Sequence, residues 1–335
     1  MDKFIPPFIE LLQRRIEVSR HLFFLTGDTQ RYPIAEQEGV VKANLLGPLA
    51  RLFTLIRHLY SADKIILHGL FSNYYLLVLF FQPWLLKKCY WFIWGGDLYV
   101  YQLGNRNAKW RLKEVVRRFV IARIGNLVTY VQGDVEKARQ WYGARGIHHE
   151  CLLYTSNIFF DPGLNAKKSD SMVIQIGNSA DPSNNHLEVF DVLKKFSGSE
   201  YKIYVPLSYG SQEYAQLVTK TGSELFGAKF VPMIDFMPYE QYLDFLSKID
   251  IAIFNHRRQQ GMGNIINLLG LGKAVYLDSS TSSSKTLKGL GLTTFELSDF
   301  DLKPIDPNVA SKNSRIISDY FSEDNLVRQL YKIFQ

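Results

Sequence analysis

Two arginines, two glutamines, two glycines and two asparagines crowd into FNHRRQQGMGN (254–264), between the apolar run DIAI and the helix-like segment IINLLGLG. Strand, glycine-bearing turn and helix, in that order, make an anion site. Backbone N–H groups at a helix start lack intrahelical partners, and the dipole places roughly half a positive charge there. Gly261 and Gly263 let a phosphate approach the main chain, and Arg257 and Arg258 offer forked, charge-assisted hydrogen bonds. An ordinary solvated loop fits the same spacing, which is neither a P-loop nor a GxGxxG fingerprint.

Other polar and glycine residues fall at the ends of apolar runs. His68-Gly69 follows KIIL, Gly95, Gly96 and Asp97 follow YWFIW, and Gly177, Asn178 and Ser179 follow MVIQI. His68 has the intrinsic pKa of a general base, and a structural hydrogen bond is its alternative role. Asp97 can take a proton from a hydroxyl or orient His68 if burial raises its pKa, and it can equally cap a helix. Asn178 and Ser179 suit a phosphate-facing turn, with Asp181, Ser183 and Asn184 as caps for a helix starting near His186. Tyr239 and Glu240 can reach a base or ribose, although Pro238 before Glu240 also marks a plain helix start.

These positions depend on alternating strand-length apolar runs and helix-like segments, which predict parallel sheets covered by helices. Strands are expected at 22–26, 64–69, 90–95 and 127–132, and again at 172–177, 201–208, 228–234, 250–255 and 274–278. The two runs predict an α/β chain of two Rossmann-like domains facing across a cleft. The domains span 1–155 and 172–312, joined by a linker at 156–171 and closed by a helical segment at 313–335. The chain opens on IPPFIELLQRR, which reads as a helix, so either the usual first strand of a doubly wound domain is absent or the first domain is built differently.

At 335 residues, 47% hydrophobic and 14% aromatic, the chain can bury two cores. Two cysteines without metal spacing suit a reducing compartment. The net charge of +7 is uneven: residues 1–155 hold 21 Lys and Arg against 12 Asp and Glu, and the remainder 18 against 20. The first half is therefore expected to face an anion: nucleic acid, a membrane surface or a pyrophosphate. NRNAKWRLKEVVRRFVIARI (105–124) reads as a basic amphipathic helix of the kind that lies on anionic lipid, or as a Rossmann helix with a basic solvent face. No recognised nucleic-acid module is present, and the apolar run 74–86 contains Pro83 and is short for a bilayer span. A soluble or peripheral protein is the expectation.

CYWFIWGGDLY (89–99), IGNSADPSNNHLE (176–188), YVPLSYG (204–210) and FNHRRQQGMGN (254–264) resemble the 4-acetamido-4,6-dideoxygalactose (Fuc4NAc) transferase family, glycosyltransferase family 56. ILHGLF (66–71) and LLYTSN (152–157) fall into line, so the resemblance runs from about residue 5 to 300. It implies a GT-B glycosyltransferase that moves Fuc4NAc from a dTDP-sugar to an undecaprenyl-pyrophosphate-linked saccharide at the cytoplasmic face of the inner membrane. It implies that Gly177, Asn178, Ser179, Arg257, Gln260, Gly261, Gly263 and Asn264 surround the nucleotide diphosphate. Tyr239 and Glu240 would lie near base or ribose, and His68 and Asp97 near the acceptor hydroxyl. With no DxD-type motif near the donor, no metal and no cofactor are expected. A nucleotide-sugar epimerase of similar fold and a non-catalytic lipid-pyrophosphate binder remain the competing readings.

Overall fold

The computed structural model describes residues 2–34, 39–103, 106–161, 163 and 171–335. The chain divides into two compact units, one of residues 1–157 with 323–335 and one of residues 158–322. Half of the expected linker, residues 162 and 164–170, lies outside the described residues.

Unit 1 runs through α1 (Ile5–Arg15), β1 (Phe23–Leu25), β2 (Val40–Lys42), α2 (Pro48–Ser61), β3 (Ile65–His68) and α3 (Asn73–Phe80). It continues with β4 (Cys89–Phe92), α4 (Gly96–Leu103), α5 (Ala108–Arg123), β5 (Asn126–Val128), α6 (Gln132–Tyr142) and β6 (Ile147–His149). Strands β3-β4-β5-β6 form one parallel sheet in chain order, while β1 and β2 pair separately, also in parallel. The opening helix appears as expected, with prolines in its first turn, where a missing N–H costs nothing. Its buried Phe8, Ile9, Leu11 and Leu12 repeat at helical spacing. Trp91, Tyr99, Leu127, Ile121 and Tyr142 form the centre of the core.

Unit 2 runs through β7 (Met172–Ile176), α7 (His186–Leu193), β8 (Tyr201–Pro206), α8 (Gln212–Phe226), β9 (Phe230–Met233) and α9 (Tyr239–Ser247). Then come β10 (Ile251–Phe254), α10 (Met262–Gly270), β11 (Ala274–Leu277), α11 (Ser282–Gly289) and α12 (Pro307–Tyr320). All five strands are parallel, in the order β11-β10-β7-β8-β9. This is a doubly wound sheet: the winding starts at β7, proceeds to β9, then returns to the other side through β10. The strand order reverses between β7 and β10, and ligands of such sheets bind beyond the carboxyl ends at that point. Strands β10 and β11 are buried at every residue, as strands of a parallel sheet covered on both faces must be.

The helical segment expected at 313–335 is two helices assigned to different units. Helix α12 ends at Tyr320 in unit 2, whereas α13 (Glu323–Phe334) belongs to unit 1. Ion pairs from Arg14 and Arg15 to Glu323, and from Arg15 to Asp324, fix its start. Lys64 Nζ donates to the Ile333 carbonyl at 2.9 Å near its end. Among the described residues no helix is long and apolar enough to cross a membrane.

Candidate functional site

Three loops of unit 2 converge at the switch point. After β7 the chain turns through Gly177, whose φ of 65° is the left-handed region that glycine enters without strain. A side chain there is sterically blocked: a Cβ would lie 2.6 Å from His186 Nε2 and 2.7 Å from Asn184 Oδ1. After β10, residues 255–260 lead to Gly261, again left-handed at φ 67°, which is the N-cap of α10 and supplies no side-chain hydrogen bond. The first-turn amides of α10 are therefore uncapped. The third loop, after β8, brings in Tyr209.

Asn184, fully buried, ties the first two loops together. Its Oδ1 accepts from the Asn178 amide at 3.1 Å and from His256 Nε2 at 2.8 Å. Its Nδ2 donates to the Asp181 carbonyl at 3.0 Å and to Ser179 Oγ at 3.3 Å. Asn178 in turn donates through Nδ2 to the Tyr209 hydroxyl at 2.7 Å and accepts from Gln260 Nε2 at 3.3 Å. Gln260 Oε1 accepts from the Ser183 hydroxyl at 2.8 Å. Such a closed network of neutral groups rigidifies the loops.

The charges divide unequally. Arg258, with its side chain only 18% exposed, donates to Asp181 Oδ2 at 3.1 Å. Burial pushes the Asp181 carboxyl up, but the Ser183 hydroxyl and amide together with Arg258 outweigh it and hold the group below the usual carboxylate value. Arg257 is 64% exposed and pairs with Glu188 of α7. The two histidines are held neutral. Burial lowers His186 to about 4, and burial assisted by the nearby Arg258 lowers His256 to about 3.

Of the residues expected here, Gly177, Asn178, Ser179, Gln260 and Gly261 lie together in the loop network. Gly263 and Asn264 stand in the first turn of α10, where the Asn264 amide bonds back to the Gly261 carbonyl at 3.0 Å. Arg257 sits at the rim. Glu240 is exposed in the first turn of α9, and the Tyr239 side chain lies outside the described residues. His256 and Tyr209 join the network without having been singled out in the sequence, and Arg258 takes the inner position beside it.

In unit 1, His68 and Asp97 end β3 and open α4 as the sequence led us to expect. Asp97 is fully buried, and three donors occupy its carboxylate: the Leu70 amide at 2.9 Å, Trp91 Nε1 at 2.6 Å and the Trp94 amide at 3.0 Å. Burial raises its pKa against those bonds and the charge of Arg117. His68 Nδ1 lies 2.6 Å from the Tyr154 hydroxyl, which also receives Trp94 Nε1 at 2.9 Å. The hydroxyl accepts from the indole N–H, and the direction of its bond with His68 Nδ1 follows the imidazole tautomer. Burial among the rings of Phe8 and Phe92 lowers His68 to about 4.

Helix α5 keeps only part of the amphipathic pattern expected at 105–124, with Val120 and Ile121 buried and its cations mostly exposed. Glu114 and Arg117 lie on its buried side, Arg117 donating to the Asp97 carbonyl at 3.1 Å, while Leu112 and Val115 are 73% and 63% exposed. Its other exposed side chains are Lys109, Arg111, Lys113, Arg118 and Arg123 after Ala108, with no exposed acid among them.

Residues 48–299 match the family described as 4-alpha-L-fucosyltransferase, glycosyl transferase group 56. The chain belongs to glycosyl transferase group 56. This group 56 chain is similar in fold to HepE of Anabaena, solved in complex with UDP and glucose, at 13% identity and a TM-score of 0.67 over 97% of this chain and 94% of that one. A glycosyltransferase from Rickettsia africae ESF-5 gives 12% identity and a TM-score of 0.65 over 97% and 92%. Sucrose-phosphate synthase from Thermosynechococcus elongatus gives 11% and 0.62 over 90% and 84%. The α/β fold with two Rossmann-like units is that of GT-B glycosyltransferases, and the group 56 chain is a glycosyltransferase.

Proposed function

We propose that this group 56 enzyme transfers a 4-acetamido-4,6-dideoxyhexose of the Fuc4NAc type from a dTDP-sugar to an undecaprenyl-pyrophosphate-linked saccharide, in bacterial surface-polysaccharide synthesis at the cytoplasmic face of the inner membrane. One observation carries the donor half of this reading: an uncapped helix N-terminus, a left-handed glycine turn and the inner guanidinium of Arg258 converge at the switch point of unit 2. A nucleotide diphosphate has the charge and size that such a corner accepts. That HepE was solved with UDP and UDP-glucose supports a nucleotide-sugar donor.

The leaving diphosphate gains charge as the sugar departs. The first-turn amides of α10 and Arg258 are preorganised donors that stabilise it without moving, the role that a metal ion fills in other sites. We assign the donor contacts to Gly177, Asn178, Ser179, Arg258, Gln260, Gly261, Gly263 and Asn264, with Arg257 at the rim and Tyr239 and Glu240 toward the base or ribose. In unit 1, Asp97 acts as a positioning residue that pins the loops after β3 and β4. His68 can take the acceptor hydroxyl proton at Nε2 when its own proton sits on Nδ1 facing Tyr154, and it becomes imidazolium in doing so.

Exposed Leu112 and Val115, set among the cations of α5, support attachment to an anionic membrane surface. The test is dTDP release from a dTDP-sugar with and without a lipid-pyrophosphate acceptor. Acceptor-dependent release supports the transferase. Conversion of the donor without acceptor points to an epimerase, and no turnover with any dTDP-sugar points to a non-catalytic binder.

A further inference from the structure

The exposed apolar side chains of unit 1 are not scattered. On α2, Leu49, Phe53 and Tyr60 recur four and seven residues apart, which sets them on one stripe, with Phe53 70% exposed. At α3 and just past its end, Tyr74, Leu77 and Phe81 recur three and four apart, with Phe81 71% exposed. On α5, Leu112 and Val115 make a third stripe. Each helix also buries apolar residues: Leu55 on α2, Leu76 and Leu79 on α3, Val120 and Ile121 on α5. The outward stripes are therefore additional to the faces that hold the fold.

The three stripes share one surface. Strands β3, β4 and β5 are parallel neighbours in chain order, so right-handed crossovers put α3 and α5 on the same face of their sheet. Between these helices the rings of Phe80 and Phe119 meet at 4.8 Å. Helix α2 joins them through Arg51, whose guanidinium lies 5.9 Å from the centre of the Tyr74 ring. Its Tyr60 hydroxyl accepts from Trp84 Nε1 at 3.1 Å, and exposed Trp84 belongs to the 3-10 turn Pro83–Lys88 that follows α3.

The charge around these stripes has one sign. Asp63 is the only acid in residues 43–96, which hold Arg51, Arg57, Lys87 and Lys88, and the single acid of α5, Glu114, is buried. Large exposed apolar patches mark interaction surfaces. Stripes edged by tyrosine, tryptophan and cations, with almost no acid, match a lipid interface: rings at headgroup level, cations on phosphates. We propose that unit 1 docks on an anionic bilayer through the outer face of α2, α3 and the Pro83–Lys88 turn, with Phe53, Leu77 and Phe81 passing the headgroups into the acyl region. This rests on the membrane reading above and goes beyond it, because attachment by α5 alone is a largely electrostatic contact at the surface. Insertion makes binding persist at high salt. It also sets a depth: exposed Phe71 carries the apolar face on to Gly96, where an added Cβ would lie 3.6 Å from its ring, next to Asp97. The carboxyl end of β3, with His68, is thereby held at headgroup level, where a lipid-linked acceptor keeps its tail in the bilayer.

The test uses the whole chain and vesicles of equal parts phosphatidylglycerol and phosphatidylcholine. Cys89 and Cys151 are buried, so a polarity-sensitive thiol dye can be placed by Phe53→Cys, Phe81→Cys, Leu112→Cys and, on α8 of unit 2, Leu217→Cys. On vesicles the emission at 53, 81 and 112 should shift to the blue, and that at 217 should not. Phe53→Ser with Phe81→Ser should lower vesicle affinity about a hundredfold, roughly tenfold per ring, while exposed positions keep the Tm near that of the parent. Raising the salt from about 0.1 to 1 M, which shortens the screening length to about 3 Å, should leave the parent bound and strip the double variant. A shift at 112 alone would overturn the insertion and leave attachment by α5 standing. A parent that does not sediment with the vesicles would overturn both. Shifts at all four positions would mean adsorption without a preferred face, and equal shifts with soluble polyglutamate would assign the face to an acidic protein; each overturns the proposal.

Discussion

Lowering the pH from 8 to 5 should loosen unit 2 through two imidazoles. His186 and His256 are buried and neutral, at about 4 and about 3, against an ordinary value near 6.5. Between those limits the unfolded chain binds protons that the folded chain refuses, so stability falls as the pH drops below about 6.5. For each imidazole the loss by pH 5 is on the order of 2 kcal/mol, or about 4 kcal/mol for the pair. That is a large share of the roughly 5–15 kcal/mol that holds a domain together, and at about 2–4 °C per kcal/mol it corresponds to a Tm lower by roughly 8–16 °C. The assay is calorimetry at pH 8, 7, 6 and 5 and constant ionic strength, on the parent, His256→Gln and His186→Gln. Each variant removes one titration, so each should flatten the fall between pH 7 and 5 by about half the pair's contribution. Equal slopes in parent and variants would refute the argument, because the acid lability would then belong to other groups.

Arg258→Ala should raise the Kd for dTDP about tenfold to a hundredfold, the effect of losing a charge-assisted contact of about 1.5–3 kcal/mol, while the rim variant Arg257→Ala should weaken it by less; calorimetric titration of both compares them. Asp97→Ala strands three buried donors and should destabilise unit 1 by about 3 kcal/mol or more without changing dTDP affinity, read by denaturant melts and nucleotide titration. Gly177→Ala meets His186 and Asn184 and demands a left-handed alanine, so dTDP binding should be lost with a Tm drop corresponding to at least about 1–2 kcal/mol. Leu112→Asp together with Val115→Asp should reduce sedimentation with phosphatidylglycerol vesicles and leave the Tm within about 2 °C of the parent, as exposed positions allow.

Much of this was legible before any coordinates. Apolar runs flanked by glycine marked nine of the eleven strands, because buried parallel strands are hydrophobic at consecutive positions. Strands β2 and β6 were not, being three residues each and only partly buried. The loop network proposed to hold the diphosphate was legible as two loops but not as one network. Asn184 and His256 are separated by 72 residues and meet only because β10 lies beside β7. Tyr209 arrives from β8, whose place on the other side of β7 is equally non-local. The choice between Arg257 and Arg258 depends on which one Glu188 draws to the surface. Asp97 was legible as a strand-end carboxylate, yet its three donors come from positions 70, 91 and 94. On α5, charge pattern alone put Arg117 on the basic face, because no local rule reveals that Arg117 has the Asp97 carbonyl as a buried partner.

Helix α13 gives the order of synthesis a physical consequence. Unit 1 is started first but is closed by a helix that leaves the ribosome only after every residue of unit 2. At about 5–20 residues per second that is a delay of roughly 10–30 s. During that interval Leu152 lacks the Gln329 acceptor of its amide, and the surfaces that will cover Leu326, Leu330 and Ile333 stay wet. A nascent chain stalled just after α12 should therefore carry a complete unit 2 and an unfinished unit 1, a natural substrate for chaperones.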